Sequence, residues 1–304
     1  MSAWRHPNQR LPAELPAQLR RAPVPGQVRE WIGRATASRV VSVRRLPGAS
    51  STAVHLVLLE NGATLVLRRY VWEEFRTGEP EAPVREVEAL DYARRHGLPV
   101  PAVVAADSTG REVGDGVPVV LMTRAPGRAL SSPDVGALAA LAARVHRVSG
   151  AGFGHRYFPW CRQTSTAPPR ACRQPELWEQ ALRLWRSAEP SYEACFIHRD
   201  FHPGNVLWSR GAVGGLVDWA NACVGPAGMD VATCRWNLHD WAGEEAATAF
   251  VAAYEKITGV RHHPYWDVAK IVEDDWDLIE APARVRAAEA LLAQALPRLL
   301  AVTA

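Results

Sequence analysis

Apolar runs punctuated by polar residues predict antiparallel strands in the first part of the chain. The runs RVVSVRRL, STAVHLVLLE and ATLVLRRY begin at residues 39, 51 and 63 and are rich in β-branched and other apolar residues. The Asn61-Gly62 step between the second and third runs is the strongest short-range signal for a hairpin. The sequence therefore predicts an antiparallel sheet at the start of the fold.

A helix is predicted directly after this hairpin. In the segment PVREVEALDYARRH, apolar Val84, Val87, Leu90 and Ala93 recur at three-residue intervals, and Gly97 supplies a stop signal. Two further strand-like runs, PAVVAADS and PVVLMTR, complete a small sheet. A shorter helical stretch precedes the first strand, near 27–36.

Helical spacing dominates the rest of the chain. Helices are predicted near 132–148, 175–187, 228–242, 244–257 and 283–300. A sheet followed by helices predicts an α+β fold with a small antiparallel-sheet N-lobe and a larger, mainly helical C-lobe. The expected divisions are an N-terminal extension with a leading helix at 1–37, the N-lobe at 38–125 and the C-lobe at 126–304.

Composition and charge narrow the possible partners. The 304 residues are 48% hydrophobic and 22% charged, and the formal net charge is only +3 with basic residues scattered in short pairs. This pattern argues against a nucleic-acid-binding stripe. No apolar run approaches the length of a membrane span, and the five cysteines lack a CxxC pair, so a reducing cytoplasm is expected.

The octet HRDFHPGN at 198–205 carries the densest chemistry. A short strand is predicted before it, the strand NVLW after it, and a further strand LVD ends in Asp218. Pairing of these strands would hold Asp200, Asn205 and Asp218 side by side. Carboxylate and amide oxygens suit Mg²⁺, and Asp200 could accept a hydroxyl proton. The layout indicates phosphoryl transfer, whereas zinc binding by His198 and His202 conflicts with Pro203-Gly204.

These residues resemble a known family. The HRD segment with its later asparagine is similar to the catalytic loop of protein kinases, and the HPGN, VDW and GPAGMDVA segments resemble the aminoglycoside phosphotransferase family of small-molecule kinases. The resemblance implies a protein-kinase-like two-lobed fold. It also implies that Asp200 is the catalytic base, Asn205 and Asp218 are magnesium ligands, His198 braces the loop and Asp230 anchors its backbone.

The resemblance implies nucleotide contacts in two segments of the N-lobe. Residues 46–52 lie where the family's phosphate-covering loop lies, although a single glycine, Gly48, makes an ordinary hairpin loop an equal alternative. The last predicted strand of the N-lobe lies where the family's hinge receives adenine through backbone groups. The residues expected to bind nucleotide in these segments are Ser50, Ser51, Thr52, Leu121, Met122 and Thr123.

An arginine stands where the family has a phosphate-gripping lysine. Lysine occurs only at Lys256 and Lys270, and the relevant strand reads LVLRR. Side chains alternate along a strand, so Arg68 shares a face with Val66. We expect Arg68 to bind phosphate and Glu86 to pair with it, although a guanidinium is not geometrically equivalent to an ammonium.

The leading functional hypothesis is an ATP- or GTP-dependent, Mg²⁺-requiring kinase for a hydroxyl group of a small molecule, such as an aminoglycoside-like antibiotic or a metabolite alcohol. A catalytically silent nucleotide-binding module is the alternative, motivated by the missing lysine. A drug-sequestering protein without chemistry is a third class. The acidic run at 273–280 is either a solvated face or a site for a cationic acceptor.

Overall fold

A five-stranded antiparallel sheet forms the first of two compact units. The computed structural model describes residues 19, 23–46, 51–130, 133–159, 167–187, 189–274, 276 and 282–303. The sheet order is β1-β2-β3-β5-β4, and the strands are β1 at Val40–Arg45, β2 at Ala53–Leu59, β3 at Thr64–Arg69, β4 at Val103–Asp107 and β5 at Val119–Thr123.

The predicted hairpin between β2 and β3 is confirmed. Gly62 has a φ of +84°, a conformation that glycine adopts without steric cost. The backbone N–H of Ala63 donates to the side-chain Oδ1 of Asn61 at 3.0 Å. Both residues of the Asn-Gly step therefore serve the turn.

Alternation along β3 points Leu65 and Leu67 to one face of the sheet and Arg68 to the other. Leu65 and Leu67 are buried in a cluster that also contains Val28 and Ile32 of helix α1, Gly26–Thr36. Because neighbouring side chains of a strand point to opposite faces, Arg68 points away from this cluster. Helix α3, Ala82–Arg95, carries the partner of Arg68 on that second face, as described below.

One short helix and one later segment complete the first unit. Helix α2, Glu73–Gly78, was not predicted, since its six residues are too few for a periodic signal. Described residues up to Arg128 belong to this unit, and Leu207–Asn221 group with them. The prediction assigned that later segment to the C-lobe; the predicted domain boundaries themselves stay a prediction.

The second unit is mainly helical. Its helices are α4 at Val135–His146, α5 at Pro175–Ser187, α6 at Ala227–Ala242, α7 at Glu244–Thr258, α8 at Tyr265–Glu273 and α9 at Pro282–Thr303. All except α8 match predicted helices. Within the described ranges, none of the helices is both long enough and apolar enough to cross a bilayer.

Of the pairing expected among the strands around the octet, the pairing of the two later strands is present, and the pairing of the strand before the octet with them is wrong. Strand β6, Ala194–Ile197, pairs with β9, Cys223–Pro226. Strand β7, Val206–Ser209, pairs with β8, Ala212–Leu216, in a separate two-stranded sheet. These strands have four or five residues each, so their alternation is too short to identify the partner.

Tryptophans fill the core of the second unit. Trp178, Trp185, Trp236 and Trp266 are buried in one cluster. A Cβ at Gly228, in the first turn of α6, would overlap the Trp266 indole, so glycine lets α6 approach α8 closely. The predominant role of these tryptophans is therefore packing.

A buried polar cluster joins α6 to α8. Asp267 is 2% exposed, and its carboxylate accepts a hydrogen bond from Arg235 and lies 2.9 Å from His262 Nε2. Burial opposes the charged form, but His262 and Arg235 outweigh it and lower the pKa of Asp267. Removing a buried carboxylate that faces an arginine costs stability, because the arginine is left without its counter-charge.

Asp267→Asn should lower the free energy of unfolding by about 3 kcal/mol, because it leaves a buried arginine without its counter-charge. The folded-state pKa of Asp267 is lowered, so its contribution is present above the unfolded pKa of about 4 and is lost as pH falls through the folded pKa. Denaturant unfolding between neutral and acidic pH measures both effects. Asp91→Asn, at an exposed position of α3, is the control; equal stability of the two variants would contradict the account.

Candidate active site

Arg68 links a carboxylate of the helix α3 to a carboxylate beyond strand β8. Pairing opposite Val54 and Val120 holds its backbone in the sheet. Its Nη1 lies 2.6 Å from Asp218 Oδ1 and 3.3 Å from Glu86 Oε1. The expected pairing of Arg68 with Glu86 is thus present, and the direct bond to Asp218 is an addition that the sequence did not predict.

Tyr70 completes this buried cluster. Its hydroxyl donates to Glu86 Oε2 at 2.5 Å, and Glu86 is only 1% exposed. Burial raises the pKa of Glu86, while Arg68 and Tyr70 oppose that rise. Tyr70 lies two residues after Arg68, so the period-two alternation that placed Arg68 also contained the signal for Tyr70.

Two acidic neighbours stabilise the charged form of Arg68. Burial lowers the pKa of this guanidinium, but Asp218 and Glu86 outweigh burial and raise the pKa well above its ordinary value. Both carboxylates contact the same nitrogen, Nη1. The guanidinium fork carries further N–H donors besides those of Nη1.

Asp218 adopts an unusual backbone conformation. Strand β8 ends at Leu216, two residues earlier than predicted, and Asp218 has a φ of +71°. A non-glycine residue in this left-handed region is uncommon and costs about 1–3 kcal/mol unless its surroundings impose it. The Asp218 side chain is 32% exposed and keeps one oxygen on Arg68.

In the second unit, the octet closes on itself through Asn205. The Asn205 Nδ2 donates to the Asp200 carbonyl at 2.9 Å and to Asp200 Oδ2 at 3.3 Å. Both acceptors are oxygens, so they identify the nitrogen side of the amide and turn its oxygen away. The 3₁₀ turn at Pro203–Asn205 brings the Asn205 side chain back to Asp200, five residues earlier in the chain.

Histidines support the same loop from within. His198 is fully buried, and its Nδ1 accepts from the backbone N–H of Asp200 at 3.3 Å. His202 Nδ1 accepts from the backbone N–H of Gly204 at 3.0 Å, and its Nε2 lies 3.7 Å from Asp200 Oδ1. Sequence reasoning considered His202 only as a zinc ligand and missed this contact with Asp200.

Asp230 holds the start of the octet. Its Oδ2 accepts from the backbone N–H of His198 at 2.8 Å, and its Oδ1 accepts from that of Arg199 at 2.6 Å. His146 Nε2 lies 3.2 Å from Asp230 Oδ2, and its Nδ1 lies 2.7 Å from the Tyr254 hydroxyl. Asp230 is fully buried in the first turns of α6.

The two segments of the N-lobe that are predicted to bind nucleotide lie before β2 and on β5. Ser50 lies outside the described residues, Ser51 is half-buried, and Thr52 is buried just before β2. On β5, Leu121 and Met122 pair with β3 on one side and β4 on the other. The Thr123 N–H donates to the Ala102 carbonyl at 2.8 Å. Their contacts with nucleotide stay a prediction.

The acidic run at 273–280 is used internally where the structure describes it. Glu273 bonds to Arg199 and Tyr157, and Asp274 contacts Lys270 and Arg284. Residues 275 and 277–280 lie outside the described part. The expectation of a cationic-acceptor site therefore receives no support from its first two carboxylates.

Asn205 in the second unit and Asp218 in the first each carry an oxygen donor of the kind that a hard divalent cation prefers. The Asn205 nitrogen is turned toward Asp200, so its amide oxygen is the side that could ligate. Asp218 offers a partly exposed carboxylate. Among the described residues, no group of three or more acidic, histidine or cysteine side chains could hold a metal. Few protein ligands are typical of Mg²⁺, which keeps waters and binds phosphates.

Comparison with known proteins identifies the family. A model of the phosphotransferase enzyme family matches residues 42–272. Homoserine kinase of Methylobacillus flagellatus is 25% identical over 260 residues, which are 78% of this chain and 78% of that kinase.

Two solved structures share the fold. One is a thermostable mutant of aminoglycoside phosphotransferase APH(4)-Ia in a ternary complex with ADP and hygromycin B, with a TM-score of 0.59, 17% identity and coverage of 91% of this chain and 97% of that chain. The other is amicoumacin kinase hAmiN in complex with AMP-PNP, Ca²⁺ and Ami, with a TM-score of 0.57, 15% identity and coverage of 90% and 93%.

These likenesses confirm the predicted α+β, protein-kinase-like fold class. The family match, at 42–272, spans more than half of the chain. The protein therefore belongs to the phosphotransferase enzyme family and is a small-molecule phosphotransferase.

Proposed function

We propose that this protein transfers the γ-phosphoryl group of ATP or GTP, in the presence of Mg²⁺, to a hydroxyl group of a small molecule. The observation that carries the proposal is the double hydrogen bond from Asn205 to the carbonyl and carboxylate of Asp200. It joins a partly exposed carboxylate to an amide whose oxygen is turned away from Asp200. Phosphoryl transfer needs that combination of proton acceptor and metal ligand.

Asp200 acts on the acceptor hydroxyl. Its side chain is 36% exposed, and Asn205 and His202 flank its carboxylate oxygens. The acceptor oxygen forms a bond to the γ-phosphorus as the bond from that phosphorus to the leaving diphosphate breaks, and the hydroxyl proton passes to Asp200. Because little covalent chemistry falls to the protein, orientation of Asp200 contributes much of the catalysis.

Asn205 and Asp218 would hold the metal, which when bound would neutralise charge on the transferring phosphates. Glu86 and Tyr70 hold the Arg68 guanidinium in place from the side of α3. The guanidinium donors other than Nη1 are the groups that would contact phosphate oxygens. This arrangement lets one arginine serve as the phosphate clamp in place of the family's lysine.

The acceptor is proposed by class. The relatives named above include a homoserine kinase and kinases solved with hygromycin B or Ami. Homoserine carries a primary alcohol and an ammonium group, and aminoglycosides combine hydroxyl and ammonium groups. We therefore propose an amino alcohol or aminoglycoside-like acceptor.

One observation favours a second candidate, a nucleotide-binding protein without transfer activity. Arg68 Nη1 lies 2.6 Å from the Oδ1 of Asp218, the proposed metal ligand. An arginine that keeps this bond would compete with Mg²⁺ for the carboxylate. The presence of Asp200 and Asn205 in a loop that Asp230 braces supports the enzyme over this candidate.

A screen of nucleotide consumption with homoserine, other amino alcohols and aminoglycosides tests the proposed function. At least one acceptor should gain the mass of a phosphoryl group in the presence of Mg²⁺. Asp200→Asn should lower that rate by at least about 100-fold, because it removes the proton acceptor while keeping the side-chain shape. Nucleotide affinity should be unchanged, and an Asp200→Asn enzyme with near wild-type turnover would exclude the assigned base.

Asn205→Leu and Asp218→Ala should weaken nucleotide binding only when Mg²⁺ is present, because both residues are proposed to hold the metal against the phosphates. Calorimetric titrations with Mg²⁺ and with EDTA measure the difference. Asp134→Ala, at the N-cap of α4, is a control for loss of a carboxylate elsewhere. Identical affinities with and without Mg²⁺ for the wild type would refute the metal assignment.

Arg68→Ala should cost most of the activity, whereas Arg68→Lys should retain a substantial share, because lysine is the residue that the family uses at this strand position. Turnover and nucleotide affinity are measured for both variants. Equal turnover of wild type and Arg68→Ala would disprove the clamp. Turnover that appears only in Arg68→Lys would favour the protein without transfer activity.

A further inference from the structure

Arg199, the residue directly before Asp200, is held by a buried ion pair. Its Nη2 lies 3.1 Å from Glu273 Oε2, and the two side chains are 2% and 1% exposed. Glu273 is the last residue of α8, 74 positions away in the chain. The pair therefore connects the octet to a helix remote in sequence.

The other oxygen of Glu273 is also engaged. Tyr157 donates its hydroxyl to Glu273 Oε1 at 2.8 Å, and its ring lies 4.4 Å from the Arg199 guanidinium carbon. Burial and the neighbouring Glu273 raise the pKa of Tyr157, so the phenol keeps the proton that it donates. Arg199 thus meets a carboxylate in its plane and an aromatic ring on its face.

The backbone of Arg199 has an uncommon conformation. Its φ is +65°, a left-handed value that costs a residue with a Cβ about 1–3 kcal/mol unless surrounding contacts impose it. Two contacts do so: its N–H donates to Asp230, and its side chain is fixed by Glu273. Any relaxation of this residue would rotate the peptide that leads into Asp200.

Stabilisation of the folded protein is a weak explanation for the buried pair of Arg199 and Glu273. Desolvation of two charges often cancels their attraction, and well-packed apolar residues can replace a buried ion pair with no loss of stability. An apolar pair would lack the directional hydrogen bonds that define where Arg199 lies. The charged pair therefore fixes the geometry of the loop in a way that an apolar pair would not.

We propose that Glu273 and Arg199 are positioning residues that hold Asp200 in its catalytic orientation through the backbone of Arg199. The proposal rests on the proposed function, since it assigns these residues a part in the transfer reaction. It also gives Glu273 a role different from recognition of a cationic acceptor. Glu273 acts through Arg199 and Tyr157 and contacts no substrate.

The first test separates positioning from stability on one helix. Glu273→Gln should lower kcat by on the order of 100-fold, the usual cost of a displaced catalytic group, with KM for nucleotide and acceptor changed less than about twofold. Asp267→Asn removes a buried carboxylate from the same α8, where Asp267 hydrogen-bonds to Arg235 and His262, both outside the octet. It should lose stability but keep kcat, and a KM effect without a kcat effect for Glu273→Gln would overturn the proposal.

The second test is an apolar replacement of the pair. The double variant Arg199→Met with Glu273→Leu should regain wild-type Tm, yet its kcat should stay as low as that of Glu273→Gln. Recovery of kcat together with Tm would show that the pair is only structural. This outcome would overturn the positioning role and leave the proposed function intact.

Hydrogen exchange decides the question even if no acceptor supports turnover. Relative to the most protected amides of the second unit, amides of 198–205 should exchange faster in Glu273→Gln and in the double variant than in wild type or Asp267→Asn, because the loop loses its side-chain anchor. Unchanged exchange would overturn the inference. Absence of wild-type turnover with faster exchange would count against the proposed function and support the anchor.

Discussion

The buried carboxylate of Asp230 is the interaction on which the second unit's chemistry depends. It accepts two backbone N–H groups, at 2.8 and 2.6 Å, from consecutive residues at the start of the octet. Hydrogen bonds to a charged group contribute about 1.5–3 kcal/mol each, and their loss would leave two amides in an apolar core without acceptors. His146 and Tyr254 extend this support into α4 and α7. The loop is thereby fixed at its first residues by Asp230 and at its last by Asn205.

The buried cluster of the first unit is centred on a cation, the Arg68 guanidinium, whereas the octet is held by a carboxylate. A single guanidinium, Arg68, serves two carboxylates, and Tyr70 hydrogen-bonds to one of them. Burial of Glu86 is tolerable because Arg68 and Tyr70 both stabilise its anion. An arginine suits this position because its charge persists when buried and its planar fork presents several donors.

Much of the fold and part of the site could be predicted from local pattern. Apolar runs and an Asn-Gly step located β2 and β3, and alternation placed Arg68 on one face with Val66. The motif at 198–205 led to Asp200 and Asn205, and the family resemblance led to Asp230. The partner of β6 could not be predicted, because four-residue strands carry no register signal. Glu273 was read as part of a charged run, since its contact with Arg199 joins positions that no local spacing relates. Such contacts depend on how α8 packs, and the packing of α8 depends on the whole core of the second unit.

The fate of isotopically labelled phosphate tests the central claim most directly. ATP labelled with ¹⁸O on its γ-phosphoryl oxygens is incubated with Mg²⁺ and a responsive acceptor, and the product is analysed by mass spectrometry. The account predicts a phosphorylated acceptor that carries the labelled phosphoryl oxygens and keeps its own hydroxyl oxygen as the bridge. Nucleotide that binds but keeps its label, or label that is released only as inorganic phosphate, would contradict it.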